Sequence, residues 1–492
     1  MVEYMNNGSS GFQRFMAAQN ENKKPSGFKT IVLWALLALV TFWVVQGCQK
    51  KNTEPVAAPV AEIEAPSNLP VRQMDSDKIS LSVQGNRISK IELKEYADGD
   101  KNILLLAGEN EFAEIGFLNT GLNPKRDITV SDYIVTIVDT VANNTGGDLI
   151  VSPYARVVRR PSDAASVAVA TGGIAYAGGD IERENWRDMG RESFAYTTQT
   201  GFVGFEDQYW ETIVSVSSPD QTIKLKPIAG TRLQAETSAA PVVIARGQTA
   251  VFTTQIFAGP KTTDVLNASA VAIPGIDNTI DYGWFWFLSR PILWAINAIH
   301  GFVGNYGVAI ILLTILIRIL MWPLTRKSFT GMAAMQKMQP EMQRIQRECG
   351  NDKMRMQAEM MAMYKRHGSN PMSGCLPMLL QIPIFFAIYK ALLISVPMRD
   401  AGFLWISDLA TMDPYFILPL IMGATMWWQQ KLQESGTRNQ EPVQKIMKWM
   451  PWIFVVMFAF FPAGLVLYWA TSNLFGIGQM WWIKRSDGRL VG

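Results

Sequence analysis

The sequence predicts an α-helical polytopic membrane protein of six spans with one large all-β sandwich outside the bilayer. Three observations carry this. Long apolar runs crowd near the N-terminus and through the last third of the chain, each near the roughly 20 residues a helix needs to cross hydrocarbon. Residues 74–281 read instead as short β-type runs between Gly, Asn, Asp and Pro turns, the pattern of an antiparallel sandwich. Basic residues gather on one side of the apolar runs, the bias that orients membrane helices.

Composition narrows the function. A chain of 492 residues exceeds one ordinary core and requires at least two structural units. The net charge of +3 argues against a bulk nucleic-acid binder, and no nucleic-acid sequence recognition is expected. Cys48, Cys349 and Cys375 are the only cysteines, so the region between Arg72 and Asp281 folds without disulfides. With two histidines, His300 and His367, no zinc-type ligand set can be assembled, and no metal or cofactor is expected.

Residues 1–27 are polar and read as a flexible cytoplasmic tail. Residues 28–47 follow Lys23 and Lys24 and read as the first span. A charged start before an apolar core also describes a cleaved leader. The length of the run, Trp34 and Trp43 within it, and the lack of an Ala-x-Ala site favour an uncleaved helix. Val45-Gln-Gly-Cys48 loosely matches a lipoprotein cleavage site, with Gln46 a poor fit. Residues 48–73 form a Pro/Ala-rich extended linker.

In the sandwich, residues 79–83, 88–93, 134–138, 212–216 and 251–257 are the clearest strands. The pairs Gly172-Gly173 and Gly178-Gly179 lack a following helical pattern, which argues against a phosphate loop. Glu206 and Asp207 beside Trp210 could line a sugar cleft, although ordinary sandwich surface and core accounts for them better. Residues 284–304, with Trp284, Trp286, Trp294 and Arg290, read as an interfacial amphipathic helix lying on the membrane.

Residues 305–323 form the second span, and it holds one charge, Arg318, with Thr314 a turn earlier. A charge there costs about 2.5–3.5 kcal/mol on insertion scales and marks a functional site by default. From the residues alone two readings stand: a cation facing a polar cavity, or a side chain snorkelling to the interface. Residues 325–369 read as a basic helical hairpin, with Met335, Met338 and Met342 at helical spacing on one arm and Tyr364 on the other. Two arms packed on each other would use most of these residues, yet methionine also suits adaptable binding surfaces. Residues 376–396 form the third span, 415–430 the fourth, 449–462 the fifth and 464–483 the sixth. Residues 431–448 are a cytoplasmic loop and 484–492 a cytoplasmic tail. The clusters of Lys and Arg place both termini, the hairpin and that loop on the cytoplasmic side.

Several stretches resemble the YidC/Oxa/Alb family of membrane protein insertases, in its Gram-negative form. They are Leu313-Thr-Ile-Leu-Ile-Arg318 with Trp322-Pro-Leu-Thr325, Met338-Gln-Pro340, Met360-Met-Ala-Met-Tyr364 and Asn370-Pro-Met-Ser-Gly-Cys-Leu-Pro377 followed by Gln381-Ile-Pro-Ile-Phe385. Asp413-Pro-Tyr-Phe-Ile-Leu-Pro419 and Phe461-Pro-Ala-Gly-Leu-Val-Leu-Tyr468 with Thr471-Ser-Asn473 continue the series. Lys390, where an uncharged residue is expected, and Trp469, where a second tyrosine is usual, depart from the pattern.

The resemblance implies a five-helix insertase core in a bacterial inner membrane and a periplasmic sandwich. Arg318 would face a hydrated groove open to cytoplasm and lipid, with Thr314, Gln381, Gln429, Thr471, Ser472 and Asn473 as lining groups. For Gln381 and Asn473, helix–helix hydrogen bonding is an equal account. Tyr468, Leu379, Ile382 and Phe386 would meet the substrate helix on the lipid-facing side. Implied partners are nascent membrane proteins, membrane lipids, the Sec translocon, and the ribosome and signal recognition pathway. No catalysis or nucleotide site is expected. A secondary transporter is the alternative, but no Asp or Glu lies inside any span and no inverted repeat is evident. An intramembrane hydrolase lacks its nucleophile–base or metal set.

Overall fold

The computed structural model describes residues 69–486, apart from 109, 119–121, 123, 162–170, 229–231, 351, 368–375 and 434–441. The expectations for residues 1–27 and 28–47, for all but the end of 48–73, and for 487–492 lie outside the described residues.

The polar middle of the chain folds as two antiparallel sheets. The larger runs Arg72–Asp75, Ile79–Gln84, Arg87–Asp98, Phe112–Leu118, Leu149–Arg159, Arg232–Ala239, Gln221–Ile228 and Phe194–Thr198 in spatial order, with Lys101–Ala107 and Val242–Ile244 as side branches. The smaller runs Asp180–Asn185, Gly172–Ala177, Phe202–Glu206, Trp210–Val216, Thr249–Pro260, Ile134–Ala142 and Lys125–Ser131. All five of the strands expected most clearly lie within these elements. Side chains of period two supply the core: along Ile134–Ala142 every second residue is buried, and Ile79, Leu81, Phe202, Phe205 and Phe257 are sealed between the sheets. Gly178 and Gly179 make the turn between two paired strands with φ of 65° and 94°, a backbone region that glycine enters at no steric cost. The pair is therefore a hairpin turn.

Helices interrupt and follow the sheets: α1 (Trp186–Met189), α2 (Thr263–Ser269), α3 (Trp286–Val303) and α4 (Tyr306–Leu320). Then come α5 (Trp322–Lys337), α6 (Gln339–Cys349), α7 (Lys353–Arg366) and α8 (Leu376–Ile394). The last are α9 (Ile417–Gln433), α10 (Pro442–Phe458) and α11 (Ala463–Ser486). α3 is two-faced: Trp286, Phe287 and Trp294 are exposed while Ile292, Leu293 and Ile296 are buried. Asn305 caps α4 by accepting from the Val308 amide at 3.1 Å, and buried Asp413 accepts from the amides of Tyr415 and Leu418 at the start of α9.

Among the described residues no single helix is long and apolar enough to cross a membrane. Tyr306–Leu320 and Trp322–Gly331 meet that test together, bent by 62°. The helical break falls at Met321, before Pro323. Pro323 sits in the first turn of α5, where its missing N–H has no intrahelical partner to lose. The boundary expected between second span and hairpin at 323–325 is thus continuous helix.

α11 packs against α4, α8 and α9, and α10 lies against α9. Gly423 of α9 allows the close approach to α10, since a Cβ there would collide with Val455. Trp469 fills an aromatic cluster, its ring 5.2 Å from both Phe385 and Phe458. The sandwich is tied to the helices by polar contacts. Gln208 donates to the Leu393 carbonyl at 3.0 Å, Arg399 reaches the Ala97 carbonyl at 3.1 Å and Asp98 at 3.3 Å, and Lys390 pairs with Asp281 at 2.6 Å.

In the hairpin, α6 and α7 close on Met338, Ile345, Cys349 and Met363, with Met342 and Tyr364 packed alongside. Gly350, at φ 50°, follows α6, and Asp352 caps α7 by accepting from Arg355 N. Met338, Met342 and Tyr364 therefore form the inner seam of the two arms, the packing expected of most of these residues, and are not the adaptable binding surface offered beside it. Met354 and Met361, one heptad apart on α7, are the exposed methionines of the second arm. The side chain of Met335 lies outside the described residues.

Candidate functional site: the Arg318 cleft

Thr314 and Arg318 are four residues apart on α4 and so share a face. Both line a cleft with Ile317, Met321, Leu324, Thr325, Leu380, Gln381, Ile384, Tyr468 and Ser472. Three helical segments build it: α4 with the start of α5, α8, and α11. Arg318 donates from Nε to Ser472 Oγ at 2.8 Å, and its Nη2 donates to the same oxygen. Gln381 Nε2 donates to the Tyr468 hydroxyl. The Thr314 hydroxyl is turned back to the Ile310 carbonyl at 2.6 Å, leaving its methyl as the group that can face the cleft.

The electrostatics are one-signed. Among the described residues no carboxylate pairs with Arg318. Its contact with Ser472 is to a neutral hydroxyl. Such a bond orients a guanidinium without cancelling its charge, whereas an Asp or Glu would do both. Apolar Ile317, Met321, Leu324, Leu380 and Ile384 complete the wall, so the cleft offers a cation and hydroxyls set in hydrocarbon.

The structure does not gather every residue expected there. Asn473 is one residue past Ser472, hence about 100° around the helix. It donates to Thr425 Oγ1 of α9 at 3.4 Å, a helix–helix bond away from the cleft. Gln429 lies over Gly476 of α11, its amide 3.2 Å from where a Cβ would stand. Thr471 is also outside the lining. Tyr468, expected on the lipid-facing side, is only 2% exposed and forms part of the cleft wall. Ile382 and Phe386 are exposed at 44% and 42% on the outer face of α8, and the side chain of Leu379 lies outside the described residues.

Two features escaped the reading of the sequence. Gln479 is buried and donates to the Arg318 main-chain carbonyl at 3.3 Å. The signal for it exists, since Tyr468, Ser472 and Gln479 recur at i, i+4 and i+11 on one face of α11. The Lys390–Asp281 pair spans 109 positions and has no local signal.

Fold and cleft together define a two-part protein: a helical bundle with a half-buried cation in a polar cleft, and a large β-sandwich docked on it. The family described as 60Kd inner membrane protein matches residues 298–489, and the YidC periplasmic domain matches residues 119–295. The membrane protein insertase YidC of Syntrophus aciditrophicus is 42% identical over 319 residues, covering 64% of this chain and 57% of that protein. The YidC of Geotalea daltonii is 34% identical over 424 residues, covering 84% and 78%. A crystal structure of an active YidC insertase with its first transmembrane domain resolved aligns at a TM-score of 0.40 and 18% identity, over 84% of this chain and 94% of that one. The chain belongs to the YidC family of membrane protein insertases. Its sandwich carries the family's periplasmic domain, and the strands before residue 119 extend the larger sheet beyond the matched part.

Proposed function

We propose that the protein inserts membrane proteins into the bacterial inner membrane through the Arg318 cleft, without nucleotide hydrolysis. The observation that carries this reading is a guanidinium held by a hydroxyl and paired with no carboxylate among the described residues, in a wall of apolar and uncharged polar side chains. A helix entering the membrane often drags a short acidic tail with it. Taking that tail part-way across in a hydrated cavity that holds a cation reduces its desolvation cost. The apolar segment then partitions into lipid, and the membrane potential favours outward movement of the acidic groups.

In this reading six spans, 28–47, 305–323, 376–396, 415–430, 449–462 and 464–483, cross the membrane. Residues 1–27, the hairpin, 431–448 and the C-terminus lie in the cytoplasm, as the basic clusters support. The cleft opens to cytoplasm and lipid, and Ile382 and Phe386 meet the entering helix. The exposed Arg344 and Arg366 and the apolar Met354 and Met361 of the hairpin suit contacts with ribosome, signal recognition pathway or nascent chain. The Sec translocon is a further partner.

Reconstitution tests the reading. The purified full chain in liposomes inserts a small single-span protein with an acidic tail in the absence of ATP. Failure to insert, together with collapse of an imposed solute gradient, would replace insertion by secondary transport.

A further inference from the structure

The Lys390–Asp281 contact joins the back of α8 to the strap that leaves the sandwich, and it is a built site. Lys390 Nζ lies 2.6 Å from Asp281 Oδ2. Asp281 Oδ1 accepts from the Gly283 amide at 2.9 Å. Gly283 adopts φ +73°, and a Cβ on it would stand 3.1 Å from Lys390 Cγ, so the turn is shaped around the lysine stem. Burial works against the Asp281 carboxylate, but neighbouring Lys390 outweighs it and holds the carboxyl below its usual range. Two residues earlier, the Thr279 carbonyl accepts from Arg183 at 2.6 Å and its hydroxyl donates to Glu211 at 3.0 Å, which fastens the same strap to the sandwich. The strap continues into α3.

Position on α8 gives the pair its purpose. Nine residues at about 100° each place Lys390 on the opposite side of the helix from Gln381. The front of α8 presents Leu380, Gln381 and Ile384 to the cleft, and the back is held by the sandwich through Asp281. Gln208 donating to Leu393 adds a second hold three residues further on. A helix fixed from behind has its front set in angle and depth, which the Gln381–Tyr468 contact needs.

We propose that Asp281 and Lys390 are a positioning pair by which the periplasmic sandwich sets the placement of α8 as a wall of the Arg318 cleft. This rests on the cleft being the route of insertion. Neither residue need touch substrate.

The test uses the full chain in liposomes, with Asp281→Asn, Lys390→Met, Lys390→Arg and the exchange Asp281→Lys with Lys390→Asp. Each neutralising single lowers the insertion rate of a single-span, acidic-tailed protein about fivefold. It also lowers photocrosslinking from Ile382 to that substrate, while the melting of the sandwich by circular dichroism stays put. Lys390→Arg stays near wild type, and the exchange recovers at least half of the loss. Wild-type rates in the singles, or an exchange as poor as the product of the singles, would overturn the proposal. If the singles do not accumulate, the exchange decides: it accumulates and inserts, or the pair is not a positioning pair. A second measurement is independent of insertion. Nitroxides at Asp180→Cys and Ile382→Cys, with Cys48, Cys349 and Cys375 replaced by alanine, give a narrow distance distribution that broadens in Lys390→Met. An unchanged width overturns the pair even where insertion is impaired. If wild type itself fails to insert, the insertion reading falls while this distance still reports on the pair.

Discussion

Replacing Arg318 by alanine separates electrostatic help from mere shape. The guanidinium is the cation of the cleft wall, and Ser472 holds it without neutralising it. One substrate carboxylate about 8 Å away at an effective dielectric near 20 gains about 2 kcal/mol, which is up to about thirtyfold in rate. Water in the open mouth screens part of this, so about five- to tenfold remains. The assay pairs two substrates that share one hydrophobic segment, one with acidic residues in its tail and one with those residues neutralised, both added to wild-type and Arg318→Ala liposomes. The expected result is a five- to tenfold fall for the acidic tail and at most a twofold fall for the neutral one. Arg318→Lys restores most of the acidic-tail rate, because a point charge suffices when no bidentate contact is made. The neutral tail serves as the folding control. If both tails lose equally, Arg318 is a structural residue, and if neither loses, the charge has no part in insertion.

Two further outcomes follow from the packing. Glu211 is fully buried, and burial pushes its carboxyl up to about 8; Lys261 and the Thr279 hydroxyl pull it down, while Glu206 pushes it further up. The folded state therefore keeps a proton that the unfolded chain releases near pH 4, so stability falls as pH rises from there to about 8 and is flat above. Glu211→Gln removes this slope in a thermal-melting series of the sandwich, and a slope identical to wild type would refute the assignment. Trp469→Ala empties the cluster formed with Phe385, Phe454 and Phe458 and costs about 3 kcal/mol, read as a lowered melting midpoint in detergent, with Trp469→Phe keeping most of it.

What could be read from the sequence divides along physical lines. Alternation marked the strands because period two is local, and Thr314 with Arg318 shared a face because i, i+4 is local too. Ser472 and Asn473 are neighbours, and for Asn473 a helix–helix bond stood beside cleft lining as an equal account. A helix turns them about 100° apart, and the cleft received only the first. The hairpin methionines were legible as an apolar face that a second arm could cover, because their spacing of three and four is local; that the cover leaves Met354 and Met361 exposed was not. The break at Met321 was masked by Pro323, which resembles a terminator and serves as a first-turn residue. Lys390 read as an anomaly because its partner lies far back in the chain.

The choice of partner for Arg318 bears on mechanism. A carboxylate within bonding distance would make the cation cheaper to bury, and breaking such a pair costs about 3–5 kcal/mol. A substrate carboxylate entering that cleft would then have to displace a resident one of equal charge, and the exchange would gain nothing. A hydroxyl costs the cation more but leaves its field intact. Two nitrogens of Arg318 are spent on Ser472, and a guanidinium has five donors, so donors remain for water or for a passing carboxylate. Holding the side chain by an acceptor that carries no charge is what allows the cation to act on something that leaves. On this argument Ser472→Asp, which places a carboxylate at the bonding atom, blocks acidic tails more than Ser472→Ala does.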